Sequence, residues 1–268
     1  MNKENFITLT TDFGLADTYV AEIKGVIFQR NPTAQIIDLT HAIAAQDIIA
    51  GALTIHASYQ YFPLNTVHMI VIDPGVGSDR AILAAQCDDY TLIAPDNGLL
   101  SLFLKNKLLH TIHKIENKSL FRHHISSTFH GRDIMAPVAA QLAMGLNIQE
   151  VGSLMDPSSC IQIECMNSTW ENRWLCGKII HVDHFGNIRT SITEKDLRQK
   201  ANSSLECLEI NGHIINMLSI SYSQHKPGEL LSILDSGGFV EIAVNQGNAA
   251  ESLAAQIGDP VRIYLKTS

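Results

Sequence analysis

Through the first half of the chain, short apolar runs alternate with longer stretches of helical periodicity. Residues 6–10 form a β-prone apolar run. Residues 17–29 follow with Val20, Ile23 and Ile27 at helical spacing and Asp17 placed to cap them. A second strand is predicted over 34–39 and a second helix over 47–61. The third strand, 66–72, is apolar almost throughout and so is expected to be buried on both faces. Residues 81–85 and 90–94 read as a strand pair turning at Asp88-Asp89, and a short helix starts at Leu99. Phe129-His-Gly-Arg-Asp133 opens a further helix over 134–144, closed by Gly145. This alternation predicts an α/β domain with a helix-covered, mostly parallel sheet.

After about Leu154 the periodicity shortens. Strands are expected at 177–183, 186–192, 205–210, 229–234, 238–244 and 260–265, with Asn211-Gly212 as a hairpin turn. That pattern predicts a small β-barrel or sandwich. The expected organisation is an N-terminal α/β domain over 1–156, a linker over 157–173 and a C-terminal β-barrel domain over 174–268.

Composition narrows the function classes. The 268 residues are 46% hydrophobic and 17% charged, which suits a folded chain with a sizeable core. The net charge is −8 and the Lys and Arg residues are scattered, so there is no basic stripe for nucleic acid, and a cationic small molecule is not repelled. No apolar run reaches the roughly 18 residues of a membrane span. The first five residues lack the apolar core of a signal peptide. The five cysteines form no CxxC pair, which points to free thiols in a reducing cytoplasm and away from zinc.

Polar clusters stand where apolar strands end: Asp12 with Asp17, Asp73 with Arg80, Asp96 with Asn97, and His130 with Arg132 and Asp133. In an open α/β sheet the carboxyl ends of the strands line the ligand crevice. Read singly, each acid suits a turn or a helix cap as well as a site. Gly75-Val-Gly77 matches neither a dinucleotide fingerprint nor a P-loop. Asp12, Asp73, Asp96 and His130 could also ligate a metal, as in a phosphohydrolase.

Six motifs together are more specific. They are Thr10-Thr-Asp12-Phe-Gly14, Val71-Ile-Asp73-Pro-Gly-Val-Gly77 with Arg80, Ala94-Pro-Asp-Asn-Gly-Leu-Leu100, Phe129-His-Gly-Arg-Asp133, Asp183-His-Phe-Gly-Asn187 and Asn245-Gln-Gly-Asn-Ala249. In this order, across essentially the whole chain, they resemble the S-adenosyl-L-methionine hydroxide adenosyltransferase family, related to the fluorinating and chlorinating enzymes. The resemblance implies hydrolysis of S-adenosyl-L-methionine to adenosine and L-methionine without cofactor or metal. It also implies a homotrimer with active sites at subunit interfaces. It puts the catalytic set on Asp73, Arg80 and His130, and the ribose carboxylate on Asp12. Adenine recognition falls on Asn187 with main chain around Val244 and Gln246. The methionine part falls on Asp17, Tyr19, Asp183, Ser236 and Gly237.

Departures from the halogenating relatives bear on the nucleophile. Asp73 and Val76 stand where those enzymes carry Tyr and Thr, Gly131 replaces their halide-binding Ser, and their long insertion after Arg80 is missing. A carboxylate at the nucleophile position repels halide and orients water. His130, with a reference pKa of about 6.5, is the expected base. The rival readings are a halogenating member of the same superfamily and a non-catalytic sensor of the sulfonium compound or of adenosine.

Overall fold

The computed structural model describes residues 5–199, 203–216 and 218–267. The first four residues, on which the expected absence of a signal peptide's apolar core largely rests, lie outside it. The chain divides into two compact units, Met1–Gln162 and Ile163–Ser268.

The first unit is a six-stranded sheet with helices on both faces. Its strands are β1 (Phe6–Thr11), β2 (Gln35–Thr40), β3 (Val67–Val71), β4 (Ile82–Cys87), β5 (Tyr90–Pro95) and β6 (Leu109–Lys114), in the order β2-β1-β3-β5-β4-β6. The first four in that order run parallel, while β4 lies antiparallel to both β5 and β6. Alternation along β3 divides the core. Val67, Met69 and Val71 pack with α1 (Tyr19–Arg30) and α4 (Ala136–Ala143), whereas Ile70 and Ile72 pack with α2 (Ile48–Ser58) and α3 (Ser101–Lys105).

Three local readings differ. Asp17 does not cap α1: the N-cap is Thr18, whose hydroxyl donates to Glu22 Oε1 at 2.7 Å rather than accepting a main-chain N–H. The second helix ends at Ser58 and tightens into a 3₁₀ turn at Tyr59–Tyr61, ahead of Phe62-Pro63. Strand β6 was not expected, because Leu-His-Thr-Ile-His-Lys alternates only weakly and lies at the sheet edge.

The second unit is a nine-stranded sheet. Its strands are β7 (Thr169–Glu171), β8 (Trp174–Val182), β9 (Ile188–Thr193), β10 (Ser203–Ile210), β11 (His213–Ile215), β12 (Leu218–Ser219), β13 (Leu230–Leu234), β14 (Phe239–Val244) and β15 (Pro260–Thr267). The order is β11-β10-β15-β8-β9-β14-β13-β12, with β7 paired to β8. The sheet curls into a half-barrel around Leu175, Ile179, Ile192, Ile242 and Ile263; among the described residues its end strands, β11 and β12, are not paired to each other. Asn211 and Gly212, both at positive φ, make the expected hairpin turn between β10 and β11. Among the described residues, no helix is long and apolar enough to cross a membrane.

Candidate active site

Strands β2 and β3 lie on opposite sides of β1, so the strand order reverses between β1 and β3. A crevice opens at the carboxyl ends of strands at such a point. Thr11 and Val71 are register partners. Asp12 and Asp73 therefore leave neighbouring parallel strands one and two residues beyond them.

The loop after β3 folds back through Val76 N–H to Asp73 O at 3.2 Å and Ser78 N–H to Gly75 O at 3.1 Å. This returns Arg80 to Asp73. Arg80 Nε donates to Asp73 Oδ1 at 2.8 Å and its Nη2 donates to Oδ2, a bidentate pair with both side chains almost buried. Gly77, at φ +82°, packs flat on the loop before His130. A Cβ there would stand 2.3 Å from the Ser127 carbonyl oxygen.

His130 precedes a π-helical turn, Gly131–Met135, that runs into α4. Such turns recur at functional sites. Arg132 and Asp133 hold this turn. Asp133 is fully buried and accepts from Arg122 Nη1, Arg132 Nε and Nη2, and Ser126 N–H at 2.8–2.9 Å. Burial pushes its carboxyl up, but these hydrogen bonds, Arg132's first, outweigh burial and keep it below the ordinary range. Arg132 also donates to Glu22 on α1 at 2.7 Å and lies over the Phe129 ring.

Arg80 Nη2 stands 3.1 Å from His130 Nδ1. A guanidinium only donates, so Nδ1 accepts and the neutral ring carries its proton on Nε2. Burial, and then the charge of Arg80, lower the His130 pKa, consistent with a neutral ring. The tautomer changes the expected role: the ring's remaining polar group is a donor.

These elements enclose a cavity of about 380 Å³, whose lining includes Asp12, Tyr19, Gln46, Asp73, Phe129, His130 and Gly131. Phe13, Tyr19 and Phe129 form an edge-on aromatic cluster with ring centroids 5.5–5.7 Å apart. Asp12 Oδ2 accepts from Gln46 N–H at 2.8 Å. Gly131 is required for close packing, since a Cβ there would approach Val71 Cγ1 to 2.8 Å. Asp17 is exposed and outside the lining. Asp96 and Asn97 are tethers, with Asp96 Oδ1 accepting from Ile161 N–H at 2.9 Å and Asn97 Nδ2 donating to Ile72 O at 2.8 Å. Among the described residues, no three His, Cys, Asp or Glu side chains converge as a metal-binding group.

The remaining expected positions lie in the second unit. Asp183 Oδ1 accepts from the N–H groups of Phe185 and Asn187 at 2.8 Å, and Oδ2 accepts from Asn187 Nδ2 at 3.1 Å. This turn contacts the one after β14, where Ala250 N–H donates to Gly186 O at 3.0 Å. Strands β9 and β14 pair antiparallel through Ile188 and Ile242, so Asn187 and Val244 stand at the same end of that pair. Ser236 and Gly237 form the β13–β14 turn, built on Asp235, whose Oδ1 accepts from Gly237 and Phe239 N–H.

Sequence reading did not single out Gln46, Phe13, Arg189 or Glu241. Arg189 Nε donates to Asp235 Oδ2 at 2.5 Å. Glu241 is buried in β14 and accepts from the Tyr222 hydroxyl at 2.6 Å; burial raises its carboxyl. A glutamate at the centre of an otherwise apolar strand was the available signal for that pair.

The SAM hydroxide adenosyltransferase N-terminal domain profile matches residues 7–152, and the C-terminal domain profile matches residues 177–262. An (R)-S-adenosyl-L-methionine hydrolase of Salinispora tropica is 35% identical over 263 residues, covering 96% of this chain and 97% of the relative. A protein of the same name from Salinispora arenicola is 35% identical over 268 residues, covering 98% and 99%. The crystal structure of an uncharacterized conserved protein from Thermotoga maritima superposes with a TM-score of 0.85 at 34% identity, covering 96% of this chain and 99% of that one. This chain belongs to the SAM hydroxide adenosyltransferase family.

Proposed function

We propose that this chain hydrolyses S-adenosyl-L-methionine to adenosine and L-methionine, and the names of its relatives direct the proposal to the (R) configuration at sulfur. The observation that carries it is the Asp73–Arg80–His130 array beside Asp12, at the reversal of strand order in a member of this family.

Water oxygen attacks the ribose 5′ carbon as the bond from that carbon to sulfur breaks. The bonding pair goes to sulfur, which leaves as a neutral thioether and needs no acid. One proton is released per turnover. Arg80 offers only donors and His130 Nδ1 is committed to it, so Asp73, with a free lone pair on each oxygen, is the acceptor that orients the water and takes its proton. His130 Nε2–H holds the attacking oxygen. Asp12 binds the ribose diol, and fixing the carbon in line with the water supplies a large share of the rate. Turnover at saturating substrate should fall at least about 100-fold in Asp73→Ala and in His130→Ala. Near-normal turnover in both would sink the assignment.

The cavity lining holds a ribose carboxylate and a nucleophile set but no residue of the second unit. Adenine contacts at Asn187, Val244 and Gln246 and methionine contacts at Asp183, Ser236 and Gly237 are part of the proposal, with Tyr19 contributing from the cavity wall. So is a homotrimer that brings the second unit of one subunit to the cavity of its neighbour. Sedimentation equilibrium of the purified chain should give three times the monomer mass; a monomer retaining full activity contradicts it. The proposed compartment is the cytoplasm.

A further inference from the structure

Gln46 adopts φ +67°, the left-handed region that glycine enters freely and a glutamine rarely does. Its surroundings impose that conformation. Asp47 N–H donates to Ala44 O and Ile48 N–H to Gln46 O, each at 3.0 Å, while Asp47 Oδ1 accepts from Ala50 N–H at 2.9 Å and caps α2. In this geometry the Gln46 N–H meets Asp12 Oδ2 at 2.8 Å.

A glycine at position 46 would make the same main-chain bond without strain. The hydrogen bond therefore explains the backbone and leaves the side chain unexplained. Strained residues of this kind gather at ligand sites. Gln46 lines the same cavity as Asp12 and Asp73, at its solvent-exposed rim, and among the described residues only its main-chain N–H, not its carboxamide, has a protein hydrogen-bond partner. Asp12 Oδ1 is likewise uncommitted.

We infer that Gln46 is a positioning and specificity residue: its N–H fixes one oxygen of Asp12, and its carboxamide joins the other in binding the ribose diol. A carboxylate can only accept from the two hydroxyls, whereas a carboxamide can also donate to one of them. The pair therefore matches a vicinal diol better than either group alone. This role rests on the proposed nucleoside substrate.

The test titrates adenosine and 2′,3′-dideoxyadenosine into the full-length wild-type protein, Gln46→Gly and Gln46→Asn, alongside melting temperature and hydrolysis kinetics. Gln46→Gly keeps the N–H and relieves the backbone, so its melting temperature should match or exceed wild type. Its preference for adenosine over the dideoxy compound should fall about tenfold, the effect of one lost hydrogen bond. Dideoxy affinity should be unchanged, and KM should rise about as much while kcat changes little. Gln46→Asn, which tolerates this backbone and keeps a shorter carboxamide, should recover part of the loss. Unchanged adenosine preference and KM in Gln46→Gly overturn the inference, as does an equal loss for both nucleosides, the mark of a purely structural role. Wild-type protein that neither binds adenosine nor releases it from S-adenosyl-L-methionine overturns the proposed function, and this role with it.

Discussion

The imidazole of His68, the second residue of β3, is buried, with Nδ1 2.7 Å from the Thr8 hydroxyl on β1. Burial lowers its pKa from about 6.5 to about 4. The folded protein then binds fewer protons than the unfolded chain between those values, so stability rises with pH through that window. It is complete above pH 6.5 and falls by roughly 3 kcal/mol as the pH drops to 4. Urea unfolding at several pH values should show this loss in wild type and a shallower slope in His68→Gln; equal slopes contradict it. Burial, and then the charge of Arg80, lower the His130 pKa in the same direction. Asp12 and Asp73 were legible in the sequence because each follows the end of an apolar strand, whereas His130, expected at such an end too, follows a polar loop after β6 and heads the π turn, so only its motif marked it. The His130 tautomer was not legible, because it depends on a hydrogen bond from Arg80, fifty positions away. Nor was Gln46, since nothing in a glutamine signals a positive φ.

Elements were legible where one physical signal dominates. The apolar run at 66–72 is β3, buried on both faces, and the spacing of Val20, Ile23 and Ile27 is the inner stripe of α1. Helix starts were less legible. Asp17 and Thr18 both suit a cap, and Thr18 takes the position while its hydroxyl bonds to Glu22. The π turn at Gly131–Met135 has no periodic signature. It comes from tertiary contacts, with Asp133 locked by two arginines and Gly131 pressed on Val71. Strand order was also hidden. That β1 lies between β2 and β3 follows from right-handed crossovers over opposite faces, and that order places Asp12 beside Asp73. The same chemistry-bearing residue types elsewhere, Asp96 and Asn97, tie neighbouring segments together.

At the scale of the whole molecule, each unit carries some of the residues proposed for the site. The first holds the carboxylates, Arg80 and His130; the second holds the Asp183–Asn187 turn packed on the turn after β14. A net charge of −8 favours approach of a sulfonium cation and is consistent with the proposed substrate. In the proposed reaction, water positioned by Asp73 and His130 displaces methionine from the ribose 5′ carbon. The most direct measurement incubates the purified protein with (R)-S-adenosyl-L-methionine in ¹⁸O-labelled water containing chloride and follows the nucleoside by mass spectrometry. The expected product is adenosine carrying ¹⁸O in its 5′ hydroxyl. Unlabelled adenosine, a 5′-chlorinated nucleoside or intact substrate would contradict it.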